Sequence, residues 1–224
     1  DLIRILKNKV PNIDPTKFLE IPNGYDPNDF SSMKKKIKNE SYTIVYTGTL
    51  TLDYPIQLLY KSLRKIIENP NNHLTLKIAG RPAKECIDYL SEMDKYFGNF
   101  KFIYSGYLSH KKSVQLLESA NCLLLLIPNI KENKGILTGK IFEYIGSGKV
   151  IWGFGPEKGD AQEILTNCNA GSIFENYESA TDTLQMYINE DTSGANLKNR
   201  ERYTREKLAK MILSRIIKDS EKKG

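Results

Sequence analysis

Five short runs along the chain are apolar on both faces instead of alternating: Thr43 to Gly48 (TIVYTG), Leu74 to Gly80 (LTLKIAG), Phe100 to Gly106 (FKFIYSG), Cys122 to Pro128, and Val150 to Phe154 (VIWGF). Runs of this length predict buried strands, and burial on both faces predicts a parallel sheet covered by helices. Each is followed by a turn signal and a stretch of helical period. Ile56, Leu59, Leu63, Ile66 and Ile67 keep helical spacing, as do Val114 and Leu117, and Asp160 or Ala161 opens a short helix through Ile164 and Leu165. Strand, turn and helix repeated five times predict an α/β fold, a doubly wound, Rossmann-like parallel sheet.

The ends stand outside this repeat. Asp1 to Val10 reads as a truncated helix, and Pro11 to Ser32, rich in Pro, Asn and Asp, as a linker, so the chain is expected to begin in mid-protein. From about Leu197 to Lys218 a basic helix is expected through Tyr203, Leu208, Met211, Ile212, Arg215 and Ile216, followed by the charged tail DSEKKG. The expected organisation is therefore a helix and linker (1–32), the sheet domain (33–196), and a basic C-terminal helix and tail (197–224). No repeat of fixed period interrupts it.

Composition narrows the chemistry. At 224 residues the chain can bury a full core without a staple, and 33 Lys plus Arg against 27 Asp plus Glu favour anionic partners. Cys86, Cys122 and Cys168 are widely spaced and never form a CxxC pattern, which argues against a disulfide framework or zinc site and fits a cytoplasmic setting. The run Cys122 to Pro128 is too short to span a membrane, and the charged N-terminus is unlike a signal peptide.

In an open parallel sheet, ligands bind beyond the carboxyl ends of the strands, where helix N-termini hold anions. Gly48, Gly80 and Gly106 fall at three such ends, either as turn formers or as the floor of a shared cleft. The segment Thr138-Gly139-Lys140-Ile141-Phe142-Glu143-Tyr144 adds a helix start at Thr138 or Gly139, with Lys140 and Glu143 three apart on one face. A cation at a helix N-terminus opposes the macrodipole, which makes sense where it meets a phosphate; Glu143 is placed to accept from ribose hydroxyls. The bland alternative is an ordinary surface Lys/Glu pair. The loop Gly155 to Gly159 leads to Asp160 as a helix cap or an anion contact. His73 and His110 lack ligands at metal spacing, Ser147 sits in GSG and not in a GxSxG elbow, Lys34-Lys35-Lys36 reads as a solvated run, and Trp152 as a core residue beside the fifth strand.

The order of these motifs resembles the C-terminal domain of retaining GT-B glycosyltransferases. Ile21-Pro22-Asn23-Gly24-Tyr25-Asp26 with Phe30 is similar to that family's interdomain linker, Tyr46-Thr47-Gly48-Thr49-Leu50 to its first strand and glycine loop, and Tyr104-Ser105-Gly106-Tyr107-Leu108 to its base-receiving loop. Glu143 to Ile151 (EYIGSGKVI) is similar to its "EAMACGxPV" pattern. Within the resemblance Glu143 falls on the ribose-binding glutamate, whereas the glutamate eight positions earlier falls on Gly135. Thr49 stands where the family has a glycine-loop arginine and Tyr54 where it has a lysine, which leaves Lys140, with Arg81 second, as the diphosphate cation. A branch with "GT", "GK" before "FEY", and "GD" is closer still.

The resemblance implies one half of a GT-B architecture that binds a nucleotide diphosphate sugar for transfer to a glycan or lipid-linked acceptor, in polysaccharide biosynthesis, and that turns over only with an N-terminal domain. A non-catalytic nucleotide-binding domain of the same fold is the alternative. The implied donor contacts are Gly48, Thr49, Leu50, Arg81, Ser105, Gly106, Tyr107, Leu108, Thr138, Gly139, Lys140 and Glu143. No catalytic side chain is singled out, no metal or cofactor is implied, and nucleic acid is not expected as a partner. The basic helix is expected to pack on the N-terminal domain or to lie on the inner membrane face.

Overall fold

A computed structural model describes residues 2–10, 14, 17–31, 40–192 and 194–221. The Lys34-Lys35-Lys36 run and the expected boundary at residue 33 lie outside the described residues. Within them the chain forms a six-stranded, wholly parallel sheet: β1 (Tyr42–Leu50), β2 (Leu74–Pro82), β3 (Phe100–Tyr104), β4 (Cys122–Leu126), β5 (Val150–Phe154) and β6 (Gly171–Phe174), in spatial order β3-β2-β1-β4-β5-β6. This is the doubly wound order, with its reversal between β1 and β4. The helices are α1 (Leu2–Lys9), α2 (Ile56–Ile67), α3 (Lys84–Tyr96), α4 (His110–Glu118), α5 (Lys140–Ser147), α6 (Asp160–Cys168), α7 (Tyr177–Asn189) and α8 (Arg205–Glu221).

The sheet separates two apolar layers. On one side α2, α3 and α7 close over Tyr46, Leu124 and Trp152, whose indole N–H donates to the Ala180 carbonyl at 2.9 Å. On the other, Ile141, Tyr144, Ile145, Ile164 and Leu165 of α5 and α6 cover Val45, Leu123 and Ile151. Alternate residues of β4 thus serve opposite layers, which is why CLLLL shows no polar face. In α2 the spacing of Ile56, Leu59, Leu63, Ile66 and Ile67 puts all five into the first layer; truncating Leu63 there would cost about 2–5 kcal/mol.

The linker is part of the second layer. Tyr25 bridges to Thr204: its N–H donates to the Tyr203 carbonyl and its carbonyl accepts from the Arg205 N–H, each at 3.0 Å. A Cβ on Gly146 of α5 would stand 2.6 Å from the Tyr25 ring and 2.7 Å from that of Phe30, so the glycine is the seat for both aromatics. Two expectations need correction. A sixth strand and the α7 helix follow α6, and the C-terminal helix begins at Arg205, after a 3-10 turn over Arg200–Tyr203, not near Leu197. The bridge to Tyr25 holds Thr204 extended and so sets the later start.

Candidate functional site

The site grows out of the split between β1 and β4. These strands pair at Ile44–Cys122 and Val45–Leu123 and then diverge, while β1 and β2 stay in register over nine positions to Leu50–Pro82. Beyond Val45 the β1 backbone on the β4 side needs new partners. Tyr144 of α5 supplies one, its fully buried hydroxyl accepting the Thr47 N–H at 3.1 Å. Burial holds that phenol protonated, with a pKa pushed up to about 12.

One turn earlier, Lys140 begins α5, with Gly139 at the cap position. Its stem crosses back over β1, where its Cε occupies the place a Gly48 Cβ would take. The ammonium donates to the Tyr46 hydroxyl at 3.1 Å and lies 4.8 Å from the centroid of the Tyr46 ring; that hydroxyl in turn donates to the Thr49 carbonyl at 2.5 Å. Burial pulls the Lys140 pKa down to about 8, with Glu143 partly opposing it.

Glu143 points elsewhere. Burial raises its pKa, and its remaining electrostatic neighbours, in order of effect, are His110, Arg205, Asp29 and Lys140. His110 at the start of α4 meets Asp29 of the linker at 2.9 Å. Lys140 and Glu143 therefore form no direct ion pair among the described residues, and the reading as a surface pair falls. Both side chains are half-buried, and among the described residues neither has an opposite charge in contact, an arrangement that costs stability.

The glycines serve different ends. Gly48, at φ +120°, leaves room for the lysine stem, and Gly80, at φ +128°, for the Gly48 carbonyl, which a Cβ there would strike. Gly106 faces open space at the mouth of the β3 loop. In that loop Tyr107 is 77% exposed, with the Arg81 guanidinium 5.6 Å from its ring centroid. Ser105 is exposed and Leu108 half-buried. The Leu50 side chain is sealed in the core and its carbonyl accepts the Ala83 N–H, so neither of these faces a ligand.

Thr138 does not cap α5. Its Oγ1 is, among the described residues, the one buried side-chain polar atom without a hydrogen-bond partner. Asp160 is the first residue of α6, not its cap, because Gly159 takes the cap position and packs against the Lys134 carbonyl. Asn23 was part of the linker motif only; in the fold its amide is the nearest group to a side chain built at Gly139, at 3.9 Å. The Tyr46 hydroxyl meets Lys140 across 94 residues of chain, a contact that no local sequence pattern signals. A cleft of about 790 Å³ is lined by Leu19 and Pro22 of the linker, Asp160 and Ile164 of α6, and Met211 of α8, and by none of Tyr46, Lys140 and Glu143. Among the described residues no helix is long and apolar enough to cross a membrane.

No protein-family model matches the sequence, and no curated protein matches it. Solved structures do. The C-terminal domain of a glycosyl transferase group 1 family protein (LpcC) from Francisella tularensis aligns with 75% of this chain and 89% of its own, at 15% identity and a TM-score of 0.54. The lipopolysaccharide outer core galactosyltransferase WaaB aligns with 96% of the chain at 15% identity and a TM-score of 0.65, and the Anabaena protein HepE, in complex with UDP and glucose, with 88% at 17% identity and 0.60. The chain spans 59% and 55% of the length of these last two. With a six-stranded parallel sheet reversed at β1 and β4, and α5 closing that reversal, the chain has the fold of the C-terminal domain of GT-B glycosyltransferases.

Proposed function

We propose that the chain is the donor half of a glycosyltransferase, binding a nucleotide diphosphate sugar at the β1/β4 reversal for transfer to a glycan or lipid-linked acceptor. The observation that carries this reading is the Lys140 ammonium, half-buried at a helix N-terminus over Gly48 with, among the described residues, no carboxylate in contact. A diphosphate would supply the missing negative charge and meet the amides of α5 as well. Thr138 Oγ1 lacks a partner that a bound phosphate or sugar oxygen would provide. Glu143 accepts the ribose hydroxyls, and the base rests on the loop of Ser105 to Leu108, against Tyr107 and Arg81.

The chemistry asked of these groups is electrostatic. A leaving diphosphate gains charge as the glycosyl bond breaks, and a preorganised ammonium with helix amides favours that state over the ground state. No acid or base of this chain is assigned to the step. The acceptor and the working site would be completed by an N-terminal domain, in line with the 59% and 55% of the WaaB and HepE chains that this one spans. Polysaccharide biosynthesis, at the inner membrane face, is the setting proposed for the activity.

Calorimetry with UDP, GDP and their sugars tests the reading. Binding of at least one, lost in Lys140→Ala and Glu143→Ala, is expected; a wild type that binds none sinks it. Gly135 and Thr49 favour a second reading, a nucleotide-binding domain without transfer, because the resembling family has charged residues there. Glycosyl transfer by a full-length protein would dismiss it.

A further inference from the structure

We propose that Tyr46 is a positioning residue, whose hydroxyl holds the Lys140 ammonium over Gly48, facing the diphosphate of the bound donor. The proposal rests on the donor-site reading above. The geometry is specific. Tyr46 is fully buried, so its ring is fixed by packing, and its hydroxyl has a single proton, directed to the Thr49 carbonyl at 2.5 Å. An oxygen that donates to one group is left to accept from others; the Lys140 ammonium is in place at 3.1 Å, and the Tyr54 side chain is also within hydrogen-bonding reach.

The ammonium has three hydrogens, and Tyr46 takes one. The others remain for a ligand, from a point 2.8 Å from where a Gly48 Cβ would stand. A long, rotamer-rich side chain is thereby ordered before the ligand arrives, which removes part of the entropic cost of binding. A phenylalanine at position 46 would keep the packing and the ring beneath the cation, yet lose this alignment.

A proton should follow the anion. Lys140 in the free protein titrates at about 8, and an adjacent diphosphate favours its charged form, so ligand binding above that pH takes up a proton. The groups around the pair are Glu143 and Tyr144 on α5, Tyr54 after β1, and Cys86 on α3; Glu143 alone among them is a carboxyl group. It stays in place in Tyr46→Phe, so a changed pH profile there reports the lost hydroxyl.

The test is calorimetry of the chain with inorganic pyrophosphate, UDP and GDP between about pH 7 and about pH 10, around the lysine's transition. For the wild type we expect affinity that is level below about pH 8 and falls above it. Tyr46→Phe should lose about tenfold at the lower pH, and its fall should start earlier, because the charged lysine has lost an acceptor. Lys140→Arg, whose guanidinium keeps its proton, should flatten the profile. A Tyr46→Phe protein with wild-type affinity and profile overturns the proposal, as does an alkaline fall that persists in Lys140→Arg.

A measurement on the wild type guards against a variant that fails to fold. The ¹³Cε shift of Lys140 tracks its titration, and pyrophosphate should move the midpoint upward; a midpoint that stays put overturns the proposal. If pyrophosphate acts as described but neither UDP nor GDP binds, the donor reading fails and the role of Tyr46 stands. If none of the three binds, both fall.

Discussion

The Tyr144 hydroxyl accepts the Thr47 N–H at 3.1 Å, where β1 and β4 have ceased to pair. A side chain here completes the backbone bonding of a strand, and does so from the helix that carries Lys140 and Glu143. The register of α5 against the sheet is fixed by that bond and by the Lys140–Tyr46 contact one turn away.

Tyr144→Phe leaves the Thr47 amide buried and unpaired. A loss of about 1–3 kcal/mol is expected, measured as a shift of the urea midpoint at constant slope. Nucleotide affinity should drop as well, since α5 loses an anchor.

Gly146→Ala places a methyl group 2.6 Å from the Tyr25 ring. Both that ring and Phe30 must shift, so a cost of about 1–3 kcal/mol is expected in chemical denaturation. Gly146→Leu should cost more.

The two site charges oppose stability. Lys140→Met and Glu143→Gln should each raise stability by about 0.5–2 kcal/mol, visible as a higher Tm, while weakening nucleotide diphosphate binding. The sign for Lys140 follows from its pKa, lowered on folding from 10.5 to about 8. In that window the unfolded chain holds the proton that the folded chain has lost, so wild-type stability gains with rising pH. The Tm advantage of Lys140→Met should therefore be full at pH 7 and shrink as pH climbs above about 8.

Tyr107, exposed and faced by Arg81, offers a flat surface at the mouth of the β3 loop. Tyr107→Ala should weaken UDP and GDP by about 1–3 kcal/mol, the range of a base–aromatic stack, and leave pyrophosphate affinity unchanged. Equal losses for nucleotide and pyrophosphate would remove the base from this loop.

The central strands were legible because burial on both faces leaves a continuous apolar run, as in CLLLL of β4. β6 was not, since GSIF has four residues at the sheet edge with one fully buried, and α7 mixes Thr and Gln into its inner face. Lys140 and Glu143 stood out by type and spacing, but spacing suggested a shared face, and the fold sends one to Tyr46 and the other toward His110 and Arg205. Tyr46 reads as one more apolar strand residue until the fold brings α5 over it. Leu50 adjoins the glycine loop in sequence, and strand alternation turns its side chain inward.

The backbone bridge between Tyr25 and Thr204 closes most of the chain into a ring, and the ring is seated on α5 through Gly146. Fraying of that clasp and loosening of α5 are then a single local opening, in which Tyr25 leaves its seat. A ligand that binds α5 in its seated form suppresses that opening by mass action. The amides of Tyr25 and Arg205, bonded only within the clasp, would exchange their hydrogens more slowly when a ligand occupies the adjoining face of α5, and so report its occupancy from the two ends of the fold.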